Sequence, residues 1–157
     1  MKKILSVHNT SVTTGMALLI ARVGIAVLML THGLPKLMML FSGEPVQFPP
    51  VMGMSATISL CFSVFAEVFC SVFILAGFAT RVATVLPIIT MLVAVIIIHA
   101  ADPFAIKESA LHYLLVYVVL LFAGSGKYSV DYLLTRKRPA INKHHSNVQD
   151  PTFAIYQ

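Results

Sequence analysis

Four long apolar stretches dominate the pattern of hydrophobic and polar positions along the chain. A membrane-spanning helix needs about 20 consecutive apolar residues, and each stretch meets or nearly meets that length. Glycines, prolines and a short Gly77–Arg81 turn separate the stretches, as expected for residues that end helices. The pattern therefore predicts an all-α integral membrane bundle of four transmembrane helices. We expect the helices to cover residues 13–34, 55–78, 82–101 and 108–124.

The composition excludes an ordinary soluble domain. Of the 157 residues, 58% are hydrophobic and 11% are charged, whereas a typical soluble domain contains about 25% charged residues. The first apolar stretch has no cleavage pattern of small residues before it, so we expect it to be retained as a helix. The chain then divides into an N-terminal segment (1–12), a membrane domain (13–134) and a basic tail (135–157).

The basic residues predict the orientation of this bundle. If the N-terminus is cytoplasmic, Lys2, Lys3, Arg81 and the basic tail share the inner side, and Lys36 and Lys107 lie on the outer side. Cytoplasmic loops are enriched in Lys and Arg, so both termini are expected to be cytoplasmic. The tail has no aromatic residues interleaved with its basic ones, and nucleic-acid binding is therefore not expected.

Two charged residues fall within the predicted spans. Arg22 lies in the first helix and Glu67 in the second, and antiparallel helices would bring them to similar depth. Burying a charge in a membrane is costly unless it has a partner, so we expect an Arg22–Glu67 ion pair. Serines at 59, 63 and 71 continue the spacing of Glu67 and mark the inward face of the second helix. Whether the pair serves chemistry or only holds the helices in register is left open by the sequence.

A second polar group gathers near the predicted outer side. It could line a pocket for a polar head group, a quinone ring or a metal, although interfacial side chains that reach toward lipid head groups offer an alternative explanation. No two histidines stand four residues apart on one helix, so no metal site is predicted. The candidate pocket residues are His32, Lys36, His99, Asp102, Glu108, His112 and Tyr113.

The chain carries no motif of a self-sufficient enzyme. Neither a dinucleotide fingerprint nor a phosphate-binding glycine loop occurs in it. Cys61 and Cys70 lie nine residues apart in one helix, about 13 Å along its axis, which is too far for a disulfide. We expect no covalently bound cofactor. Three functions remain as alternatives: a quinone-binding subunit, a non-enzymatic scaffold, and a small-molecule or ion carrier.

Several short motifs follow one another along the chain, beginning with an arginine in the first helix followed by His-Gly and a lysine. The pieces are residues 21–37, 48–50, Glu67, 77–81, Glu108 with Tyr113, and 124–131. Taken in this order, over roughly residues 15–134, they resemble the DoxX family of membrane proteins. The chain departs from the family at Ser63, Phe69 and Cys70, where glycines are common around the glutamate.

This resemblance implies a bacterial inner-membrane protein of four helices. Family members are associated with quinone-linked redox complexes, such as thiosulfate oxidation coupled to quinone or a terminal quinol oxidase. A quinone, membrane lipid and a redox partner protein are therefore the expected ligands and partners, and a homo-oligomer remains one alternative for the assembly. Matched by position, the motifs point to Arg22, His32, Lys36, Glu67, Arg81 and Glu108.

Overall fold

The computed structural model describes residues 12–136, and within that range the chain consists of helices and the segments that connect them. Four of these helices are long and apolar enough to cross a membrane, which confirms the predicted fold class. The predictions for the N-terminal segment before residue 12 and for the tail after residue 136 lie outside the described residues. The helices are α1 (Val12–Phe41), α2 (Ala56–Ala76), α3 (Thr80–Ile98), α4 (Phe104–Ala123) and α5 (Val130–Thr135).

The four long helices form an up-and-down bundle. Helix α1 packs against α2 and α4, and α3 packs against the same two neighbours. We call the end with the α1–α2 and α3–α4 connections the cavity end. The other end, with the α2–α3 connection and α5, is the turn end. The core between the helices contains Leu18, Ile25, Ala26, Met29, Ile74, Ala83, Met91, Ala110, Tyr117 and Leu120.

Helix α1 is longer than the sequence indicated. It continues through Pro35 to Phe41, so the predicted end at residue 34 is seven residues too early. Proline removes one backbone donor from a helix, but flanking turns can keep the helix continuous. As a result, Lys36 lies within α1 rather than beyond its end.

Two π-helical turns interrupt the α-helical geometry. Residues Phe65–Phe69 form one turn around Glu67 in α2, and Ala94–Ile98 form another at the end of α3. In an α-helix, every fourth residue is rotated by about 40° around the axis, so a stripe with that spacing gradually turns away from its starting face. A wider π-helical turn counteracts this rotation. The serine stripe of α2 and Glu67 are all buried, at 8% exposure or less, which confirms the predicted inward face.

Helix α5 fastens the connection between α2 and α3. The Asp131 carboxylate accepts hydrogen bonds from the backbone N–H groups of Ala79 at 2.7 Å and Thr80 at 3.2 Å. The Asp131 N–H in turn donates to the Gly77 carbonyl at 3.0 Å. Asp131 therefore caps the start of α3 from a distant part of the chain. Arg81 adds a second tie, because its Nη2 donates to the Phe122 carbonyl near the end of α4 at 3.2 Å.

Candidate functional site

The close approach of α1 to α2 sets the position of the site. Gly33 of α1 faces Glu67 and Val68 of α2, and a Cβ at position 33 would lie 2.8 Å from Val68 Cγ2 and 3.0 Å from the Glu67 backbone. Only glycine allows the two helices to approach this closely. The small residue that permits close packing at Glu67 is therefore on α1, whereas the family pattern suggests glycines on α2.

Lys36 lies one turn beyond Gly33 and forms an ion pair with Glu67. The Lys36 ammonium and the Ser63 hydroxyl both donate to Glu67 Oε1, the latter at 2.8 Å. The ammonium also contacts Ser63 Oγ at 3.2 Å and lies 5.7 Å from the centre of the Phe48 ring. The Glu67 side chain is 4% exposed and the Lys36 side chain 29%, so the pair has one buried and one partly open member.

The predicted Arg22–Glu67 ion pair is wrong. Arg22 lies eleven residues before Gly33, which is about 16 Å along the helix axis, so its guanidinium is at another level of the bundle. It is fully buried at the turn end. There it donates to the carbonyls of Ile74 at 3.2 Å, Leu75 at 3.4 Å and Tyr128.

Asp131 supplies the nearby negative charge that attracts the Arg22 guanidinium. Gly77 has a φ of +71°, and a side chain there would collide with the guanidinium and with Ser129. The buried arginine therefore joins α1 to the end of α2 and to the segment before α5. Its role is architectural, because it bonds backbone carbonyls that are fixed by the fold.

A cavity of about 650 Å³ opens at the cavity end and reaches the Lys36–Glu67 pair. All four long helices contribute to its walls, together with the α1–α2 connection through Phe48 and Val51. The connection is fastened where the Val51 N–H donates to Ser59 Oγ at 3.1 Å. Most of the lining is apolar, and the two π-helical turns supply Glu67 and Ile98 to it. Such turns are frequent at functional sites.

The structure brings together only part of the predicted outer pocket. His32, Lys36, His99 and Tyr113 line the cavity, and the rings of His32 and Tyr113 meet edge to face with 5.7 Å between centroids. Asp102 does not line the cavity, but its Oδ2 lies 2.7 Å from Nδ1 of the lining residue His99.

Two predicted pocket residues on α4 are elsewhere. Glu108 and His112 share one exposed face of α4, and neither lines the cavity. Their spacing of four residues correctly placed them on one face, but periodicity alone could not tell an exposed face from a cavity wall. Arg81, predicted at the inner-side turn, lies at the turn end, where it bonds α4 as described above.

Sequence reasoning missed the pairing of Lys36 with Glu67. Gly33 was the residue that could have indicated this pairing. It permits close contact between the helices at Glu67, and Lys36 follows it by one helical turn. Phe48 and Val51 of the connecting segment were also absent from the predicted pocket. Their contribution depends on how the connection folds back over α2, and no periodic pattern reports that.

Several buried polar atoms in this region have no hydrogen-bond partner within residues 12–136. They include Glu67 Oε2, the Ser71 hydroxyl and the Tyr117 hydroxyl. Unpaired buried polar atoms are costly, but they do not single out this region, because Arg22 Nε and the Thr80 hydroxyl at the turn end are also unpaired within the described residues. The described part of the chain contains no group of three His, Cys, Asp or Glu residues that could hold a metal ion.

The geometry defines a four-helix membrane protein with an apolar cavity at one end and a Lys–Glu pair in the cavity wall. The DoxX family model matches residues 17–100, more than half of the chain. The chain therefore belongs to the DoxX family and is a multi-pass membrane protein. The match contains both members of the Lys36–Glu67 pair. No curated protein and no solved structure matches the chain.

Proposed function

We propose that this protein binds a membrane quinone in its cavity and serves as an accessory subunit of a redox system in a bacterial inner membrane. The observation that carries the proposal is the Lys36–Glu67 pair, a polar patch in the wall of a mostly apolar cavity. Ligand sites typically combine apolar walls with a few fixed polar groups that orient the ligand. The two features fit a lipid-soluble ring with polar substituents.

The cavity residues fit the chemistry of a quinone. A volume of about 650 Å³ falls within the usual range of about 300–1,000 Å³ for ligand sites. A quinone carries an apolar ring and two carbonyl acceptors, which need donors at the polar end of the site. Lys36 supplies N–H donors, and Tyr113 and the ring nitrogens of His32 and His99 supply further polar groups along the walls.

A quinone-linked system also needs a second redox centre. We place that centre on a partner protein, because the sequence contains no dinucleotide fingerprint and the described residues offer no group of metal ligands. In this arrangement the chain holds the quinone and the partner exchanges electrons with it. A homo-oligomer in the membrane is compatible with the same role.

Quinone titration of the purified protein in lipid nanodiscs tests the proposal. We expect saturable binding of a short-chain quinone, and we expect Ser109→Phe, which adds bulk at the cavity wall, to weaken it at least about tenfold. The matched control is Leu115→Phe on the lipid-exposed face of the same helix, which should bind normally. Absence of saturable binding to the folded wild-type protein would refute the proposal.

The scaffold alternative gains support from Arg22, whose bonds to backbone carbonyls serve the architecture. If the Lys36–Glu67 pair had the same purpose, Lys36→Met would lower stability and leave quinone binding unchanged. Under the quinone proposal, Lys36→Met weakens binding, whereas Lys107→Met does not, because Lys107 bonds the Ala100 carbonyl outside the cavity lining. The carrier alternative would require solute flux in liposomes containing only this protein.

A further inference from the structure

We propose, on the basis of the quinone site above, that the cavity selects the reduced, hydroxyl-bearing form of its ring ligand over the oxidised form. The inference starts from the uneven bonding of the Glu67 carboxylate. Oε1 accepts from Lys36 and Ser63, whereas Oε2 has no donor within residues 12–136. Oε2 itself is buried, and Glu67 belongs to the cavity wall, so in this proposal a ligand hydroxyl at the polar end supplies the donor that the half-satisfied carboxylate lacks.

Glu67 is the carboxylate partner of the Lys36 ammonium in a partly buried ion pair. An ammonium and a hydroxyl both donate to its Oε1, as expected for a carboxylate that accepts hydrogen bonds. An ionised carboxylate cannot donate, so its second oxygen can be satisfied only by a donor. The position therefore discriminates between ligand groups by whether they carry a hydrogen.

The two oxidation states of a quinone differ in this respect. The oxidised ring carries carbonyl oxygens, which only accept hydrogen bonds and would place lone pairs against Glu67. The reduced ring carries hydroxyl groups, which donate and accept. A site with a buried acceptor rejects an analogue that lacks the matching donor, often by a large factor. Other polar groups of the wall, such as Lys36 and Tyr113, can bond a ligand oxygen in either state.

Two hydroxyl groups of the protein itself could compete for the carboxylate. Tyr117 and Ser71 are both fully buried, and neither hydroxyl has a hydrogen-bond partner within residues 12–136. Neither hydroxyl forms a hydrogen bond to Glu67 in the described structure. If one of them turned to Oε2 in the membrane, the preference for the reduced ligand would be lost. The experiment therefore has to distinguish a hydroxyl donated by the protein from a hydroxyl donated by the ligand.

Anaerobic binding of three matched ligands to the wild-type protein in nanodiscs is the first part of the test. The probes are a short-chain ubiquinol, the corresponding ubiquinone and the dimethyl ether of the ubiquinol, whose oxygens carry no hydrogen. We expect the quinol to bind at least about tenfold more tightly than the quinone or the ether. A tenfold preference would raise the midpoint potential of the bound two-electron couple by about 30 mV, which a redox titration measures independently.

The second part of the test changes the acceptor. In Glu67→Gln the introduced amide can keep its oxygen toward Lys36 and Ser63 and place an N–H donor at the second position. The quinol preference should then disappear or reverse. The matched control is Glu108→Gln, on the exposed face of α4 outside the cavity lining, which should keep the wild-type preference.

The outcomes separate this inference from the proposed function. Failure of all three ligands to bind would refute the quinone site itself. Equal affinity of quinol, quinone and ether would leave the quinone site standing and overturn the selection of the reduced form. A preference that appears only in Tyr117→Phe or only in Ser71→Ala would also overturn it, because a hydroxyl of the protein would then satisfy Glu67 in the wild type. If Glu67→Gln does not accumulate, the three-ligand comparison on the wild-type protein decides the matter.

Discussion

The two buried charge clusters of this bundle differ in what their charges bind. At the turn end, Arg22 bonds three backbone carbonyls, and Asp131 bonds two backbone N–H groups. At the cavity end, Lys36 and Glu67 bond each other and the side chain of Ser63. Backbone partners are fixed by the fold, whereas side-chain partners can move. The first cluster therefore holds the connections between helices together, and the second can respond to a ligand.

The two clusters also differ in whether their charged side chains border the cavity. Neither Arg22 nor Asp131 lines the cavity, and both are buried at 5% exposure or less. Lys36 and Glu67 both belong to the cavity wall, and Lys36 is partly open. A charged residue in a membrane helix is therefore not evidence of function by itself. In this bundle, the distinction depends on whether the charge borders a cavity.

The largest effect that tests this comparison is expected for Arg22→Leu. It removes the side chain that donates to the carbonyls of Ile74, Leu75 and Tyr128, and it takes away the positive charge near Asp131. Removing one member of a buried charge cluster typically costs about 3–5 kcal/mol, so the variant should fail to accumulate or should unfold readily in detergent. The matched control is Arg136→Leu at the exposed end of α5. Wild-type accumulation and thermal stability of Arg22→Leu would contradict the architectural role.

A pair of glycine variants on α1 gives the next largest effect. Gly33→Ala places a methyl group against Val68 and the Glu67 backbone, and overpacking of this kind costs about 1–3 kcal/mol. It should also weaken the Lys36–Glu67 contact by moving α1 away from α2. Gly24→Ala is the control, because a Cβ there meets nothing within 4 Å, and it should be neutral or stabilise the helix by up to about 1 kcal/mol. Equal thermal stabilities of the two variants would show that the close approach is unimportant.

The sequence predicted the helices of this bundle better than the contacts between them. Four apolar stretches were sufficient for the four helices, and the serine stripe identified the inward face of α2. The pairing of charges needed the register between α1 and α2, which depends on where α1 ends and on which glycine permits contact. The predicted end of the first helix at residue 34 left Lys36 at the interface, whereas α1 continues to Phe41 and carries Lys36 to Glu67.

The candidate pocket was predictable to a smaller extent. Four of the predicted residues line the cavity, and all four lie at the end of the bundle where the sequence grouped them: His32, Lys36, His99 and Tyr113. Glu108 and His112 belong to the same end but to the exposed face of α4. Residues near one end of a membrane bundle can therefore be found from topology. Which of them face a cavity depends on helix rotation, and a helix that is apolar on several faces carries little information about its rotation.

A double-mutant cycle on Lys36 and Glu67 should give a more moderate effect at the cavity end. Lys36→Met and Glu67→Leu each leave one charge without its partner, and Glu67 is the more deeply buried. The double variant should lose less stability than the two single variants together, with a coupling of about 1–3 kcal/mol. Thermal unfolding in the same detergent measures all four proteins. Additive losses would mean that the pair contributes no interaction energy, and the contrast with the turn end would then rest on the cavity alone.

The smallest expected effect comes from two histidines that differ in their surroundings. His32 lines the cavity and meets Tyr113 edge to face, so His32→Ala should cost about 0.5–1.5 kcal/mol and should weaken quinone binding. His112 is exposed on α4 outside the lining, and His112→Ala should change stability by less than about 0.5 kcal/mol with no change in binding. Parallel titrations and melting curves compare the two. Equal loss of binding would show that the exposed face of α4 belongs to the ligand site, because His112 contributes nothing to the cavity wall.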